Sequence, residues 1–112
     1  MNRFIFILLL LVTITSFGQQ KNENYNLDNR KILSNSSPKY KCNEEGLVVI
    51  QIVVNNLGNV VETKFDKKKS TTNAKCLIEE AEKAAKNTKW NIDSNSPKKQ
   101  VGTIKYNFSL KD

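Results

Sequence analysis

The chain has 112 residues, 18 basic and 11 acidic side chains, and no histidine. Its length suits a single domain, and the lack of histidine, of a glycine-rich phosphate loop and of a nucleophile spaced from a base argues against an enzyme, a bound cofactor or a metal site. The net charge of +7 raises nucleic acid as a partner, yet only Lys67, Lys68 and Lys69 are contiguous and no aromatics interleave with the basic residues to stack on bases. Nucleic acid is therefore not expected; the lysine triplet reads as a solvated loop, with an anionic envelope surface as its functional alternative.

The N-terminus has the build of a secretory signal: Arg3, an unbroken apolar run over residues 4–12, then small residues before Gln19. Residues 1–18 are expected to be removed by cleavage near Gly18 and Gln19, leaving 17 basic against 11 acidic side chains, a net +6. The alternative is a retained inner-membrane anchor. The 14 residues from 4 to 17 would span only about 21 Å, against roughly 30 Å of bilayer core.

Export gives the two cysteines a meaning, since an oxidising compartment lets Cys42 and Cys76 persist as a disulfide. Closing that loop contributes about 3 to 4 kcal/mol on chain-entropy grounds, useful to a small core.

Residues 19–37 are polar and Asn-rich, with a weak apolar cluster at Tyr25, Leu27, Ile32 and Leu33, and are expected to form a flexible linker. Its root-mean-square span would be about 25 Å and its stretched limit about 65 Å. The domain is assigned to residues 38–112. Its first strand is predicted over 47–54, apolar except for Gln51 and rich in β-branched residues. Asn55 to Asn59 supply a turn that tolerates positive φ, and 60–66 resume as a half-buried strand with Val61, Thr63 and Phe65 alternating against Glu62 and Lys64.

Thr72 or Asn73 is placed to cap a helix running to about Thr88. Ala74, Leu77, Ile78, Ala81, Ala84 and Ala85 form its apolar stripe, with Glu79–Lys83 and Glu82–Lys86 at i,i+4 outside it. Trp90 then reads as a core plug, and residues 101–110 alternate as a third strand, with Ile104, Tyr106, Phe108 and Leu110 facing inward.

The predicted fold is α+β: a three-stranded antiparallel sheet in the order 2-1-3 with one helix on one face, connected ββαβ. The predicted core is Val48, Ile50, Ile52, Val54, Phe65, Leu77, Ala81, Ala84, Trp90, Ile104, Tyr106 and Phe108. Leu47, Val49 and Val53 point to the other face, where either the 25–33 segment folding back or a second copy would cover them.

Several features resemble the TonB C-terminal domain: Pro38-x-Tyr40, Gly46 before a β-branched strand, the Asn/Gly turn with Val60 after Gly58, the alanine-rich helix, Trp90 at its end, and the closing strand. The resemblance runs from Pro38 to about Leu110. It departs where Ile92 stands at the usual proline two positions after Trp90, and the Cys42 and Cys76 pair looks like a subgroup variant. The resemblance implies a module that takes a segment of an outer-membrane TonB-dependent receptor as an added strand beside its last strand. The binding edge would be Val101, Thr103, Ile104, Lys105, Tyr106, Asn107, Phe108 and Ser109, with an ExbB/ExbD-type complex as a further partner. A cleavable signal and a proline-free linker imply a free-standing periplasmic module that transmits no force by itself. The alternative is a self-associating envelope domain, a homodimer without a transport role.

Overall fold

The computed structural model describes residues 24–39 and 42–110; the expected signal segment, the first residues of the expected linker and Tyr40 lie outside them. Six strands and one helix follow in chain order: β1 (Tyr25–Asn26), β2 (Ile32–Ser34), β3 (Gly46–Val54), β4 (Val60–Phe65), α1 (Lys75–Lys86), β5 (Lys89–Trp90) and β6 (Gln100–Phe108). They form a four-stranded sheet in the order β1-β6-β3-β4 and a two-stranded sheet of β2 and β5, with every pairing antiparallel. The three expected strands thus take the expected relative order, β4-β3-β6. The extra strand of the larger sheet comes from residues 25–26, and the second sheet from residues 32–34 pairing with Lys89–Trp90.

That segment is the main correction to the sequence-based expectation. Within the supposed linker, Leu27 is buried in the core and Tyr25 and Ile32 pack against it, while Leu33 is exposed. A short polar stretch can dock when a few apolar residues meet an existing core, because burying one leucine contributes about 1.5 to 3 kcal/mol.

β3 is apolar on both sides because it is central. Its even-numbered residues from Val48 to Val54, together with Leu77, Ala81, Ala84, Trp90, Ile104, Tyr106 and Phe108, form the expected core, joined by Leu27 and Ala85. Phe65 is half-buried at its margin. α1 lies over β3 and β4, and its small alanines are all buried.

On the opposite face Val49 is fully buried, while Leu47 and Val53 are half-buried. The edge of β3 beyond the end of β4 is occupied by the chain itself. Residues 66–71 run beside it: Val49 N donates to Ser70 Oγ at 2.8 Å, Leu47 N to Thr71 Oγ1 at 2.8 Å, and Asp66 N to Val49 O at 2.9 Å. Hydroxyl oxygens stand in for a strand where β4 has ended. The three lysines of this turn are exposed.

Two local details also differ. The register of β3 and β4 shifts between Val53 and Val54, so Val60 packs on the core and Val61 is 50% exposed. A bulge of this kind inserts one residue and reverses the alternation beyond it. The helix starts later than expected, with Ala74 at its N-cap and no side-chain cap bond; Thr72 Oγ1 instead accepts from Ala74 N at 3.1 Å. Lys83 pairs with Glu80 at 3.6 Å, i,i+3. Leu110, expected to face inward, is 47% exposed.

The Cys42–Cys76 disulfide is formed, with Cα atoms 6.4 Å apart, and ties the approach to β3 to the first turn of α1. No helix among the described residues is long and apolar enough to cross a membrane.

Candidate strand-addition edge

The outer side of β6 is where the sequence places a partner strand, and there the chain supplies its own. Tyr25 is registered with Ile104 and Asn26 with Thr103, and Lys105 N donates to Asn24 O at 2.9 Å. Because Lys105 N points outward, alternation directs the amides of the odd-numbered residues of β6 away from β3. The middle of this edge is therefore occupied, which corrects the expectation of a bare final strand.

The side chains of β6 divide as the alternation requires. Ile104, Tyr106 and Phe108 are buried on the helix side, whereas Lys105, Asn107 and Ser109 are exposed, Thr103 is half-buried and Val101 is 58% exposed. The expected edge residues from Val101 to Phe108 are thus brought onto one strand, with Ser109 just past its end. Three of them serve as core as well.

Two contacts fix how β1 sits. The Tyr25 and Tyr106 rings meet edge to face, 6.5 Å between centroids and 89° between planes, a favoured quadrupolar arrangement. Gly102 lies under the strand as it leaves: a Cβ there would fall 2.5 Å from Asn26 O and 2.7 Å from Leu27 Cδ1. The missing side chain makes room for the Leu27 insertion.

Burial pushes the Tyr106 hydroxyl well above the usual phenol range, with Tyr25 adding to it, and that hydroxyl has no hydrogen-bond partner among the described residues. Burial also raises Tyr25, opposed by a hydrogen bond from Asn35. Both rings stay neutral at physiological pH.

Arg30 locks the segment behind β1. It is 7% exposed. Its guanidinium donates to Asn91 Oδ1 at 3.3 Å, Gln100 Oε1 at 3.1 Å, Asn55 O at 3.2 Å and Asn91 O at 2.5 Å. Gln100 Nε2 in turn donates to Asp28 O at 2.7 Å. One side chain therefore joins the N-terminal segment, the β3–β4 turn, the stretch after β5 and the start of β6. A planar fork with five donors suits that task.

The turn it holds is built by asparagine and glycine. Asn55 Oδ1 accepts from Leu57 N at 3.0 Å and Asn59 N at 2.9 Å, and Gly58 sits at φ +90°. A Cβ on Gly58 would lie 2.0 Å from Trp90 O, so glycine is required both for conformation and for the close approach of β5. Trp90 is buried and donates from Nε1 to Thr88 Oγ1 at 3.1 Å, in keeping with a core plug.

Sequence reasoning missed Tyr25, Asn26, Leu27 and Arg30 as parts of this edge. The Tyr25-x-Leu27 alternation carries a faint strand signal. Arg30 carries none, because a buried arginine looks like a solvated one until its acceptors are assembled. No family model, curated protein or solved structure matches this chain.

Proposed function

We propose that the mature chain is a periplasmic, TonB-like binding module that engages an extended segment of an outer-membrane receptor or another envelope protein by strand addition beside β6. In that role it stands beside TonB-dependent transport, competing with or assisting a full transducer. The observation that carries the reading is the β1–β6 pairing: the outer side of β6 takes up an antiparallel strand with an aromatic ring packed on Tyr106. The resemblance running from Pro38 to Leu110 and the Cys42–Cys76 disulfide, at home in an oxidising compartment, support the same reading.

A partner strand reaching from Val101 to Ser109 replaces β1 and makes a longer ladder than its two residue pairs, each net hydrogen bond adding about 1 kcal/mol. Binding then runs against the docked segment, so the apparent affinity is lowered by the fraction of molecules in which β1 is in place.

The test is an amide-shift titration of the oxidised mature protein with peptides copied from the N-terminal plug segments of the host's outer-membrane receptors. The expected result is a set of shifts along residues 101–109 together with loss of the Tyr25–Ile104 pairing. The reading fails if no peptide moves those amides, even in a chain shortened to begin at Asn35.

A further inference from the structure

The opposite side of the sheet ends differently. Lys89 of β5 bridges Asn59 just ahead of β4, but from Val60 to Phe65 the strand pairs only with β3, and no hydrogen bond from another described segment reaches its outer side. Since Asp66 N donates inward to Val49 O, alternation points the N–H and C=O groups of Thr63 and Phe65 outward. An open edge of six residues is long enough to template another strand.

From this edge we infer that two copies of the chain associate by antiparallel pairing of β4 with β4, centred on Thr63. The register follows from the residues. A two-fold axis through Thr63 sets Thr63 opposite its own copy, Val61 opposite Phe65, and Glu62 opposite Lys64 twice, once on each side of the axis. Glu62 and Lys64 are registered with Val53 and Gln51, on the sheet face away from α1, and both are exposed. Opposite charges directly across antiparallel strands stabilise the pair, whereas any shift by two residues sets Glu62 against Glu62 or Lys64 against Lys64.

The helices are compatible with the same axis. α1 lies over β3 and β4, about one strand spacing, roughly 5 Å, from the axis. The axis stands normal to the sheet, so both helices fall on one face about 10 Å apart, the distance at which helices pack. The result is a continuous sheet of two four-stranded halves that leaves β6 and β1 at its far ends.

The test is sedimentation equilibrium of the oxidised mature chain at concentrations up to about 1 mM, alone and as charge variants. Glu62→Lys and Lys64→Glu each set like charges opposite and should each weaken the dimer about tenfold or more. An equimolar mixture of the two restores both cross-strand pairs in a heterodimer, and so does the double exchange within one chain. Thr63→Pro, which removes an outward N–H and leaves the β3 ladder intact, should abolish association while circular dichroism reports a folded domain. A wild-type chain that stays monomeric, a dimer indifferent to these changes, or a mixture no tighter than its components would each overturn the inference.

Discussion

On one side of the sheet β6 is covered by β1, which is held by Leu27 in the core and by Arg30 across three other segments; on the other, β4 has no strand beyond it among the described residues. The covered edge is rich in buried apolar side chains, whereas the open one alternates charged residues. An edge with an apolar flank needs a cover. Glu62 and Lys64 discourage indiscriminate pairing on an edge that has none, while permitting one complementary register.

The sharpest way to break this contrast is to loosen the cover. Leu27→Ala removes a buried side chain and should cost about 2 to 4 kcal/mol, read as a lower denaturant midpoint. Hydrogen exchange should show Lys105 N losing protection while the β3–β4 ladder keeps its own. Equal loss on both sides would mean that the segment is no separable cover.

Gly102→Ala acts on the same contact from beneath. The new Cβ meets Asn26 O and Leu27 Cδ1 inside van der Waals distance, and overpacking of this kind costs about 1 to 2 kcal/mol. Amide shifts should move at residues 24–27 and leave β4 unchanged.

Tyr106 sharpens the comparison through pH. Its folded phenol is raised above the ordinary value by burial, then by Tyr25. Below about pH 10 both states are protonated and the full stability is present. Above it the unfolded chain ionises while the folded one keeps its proton, so stability falls as pH rises. Tyr106→Phe should flatten that alkaline fall in thermal melts, and at neutral pH it should change stability by less than about 1 kcal/mol because the hydroxyl it deletes has no partner. An unchanged alkaline slope would place the effect elsewhere.

Val61→Thr on the open edge should shift stability by no more than about 0.5 kcal/mol, since half of that side chain is already in water. A larger loss in dilute solution would show that the edge is covered within the monomer.

What the sequence by itself determined is what depends on local patterning. The apolar run of β3, the Asn/Gly turn, the alanine stripe of α1 and the alternation of β6 each state their own structure and buried face, because period and turn chemistry act over a few residues. The relative order of these strands followed from handedness and central burial, and the cysteine pair from a count of two and the expectation of export. Tertiary structure alone decided which edge is open. A two-residue strand carries almost no periodicity, so Tyr25 and Asn26 become a strand only where β6 offers its outer amides and Gly102 leaves room for Leu27. Arg30 joins the buried residues only because Asn55, Asn91 and Gln100 converge on it from distant parts of the chain. The Val61 bulge is likewise a property of pairing, set by how a tight turn must meet β3 rather than by the alternation written in β4.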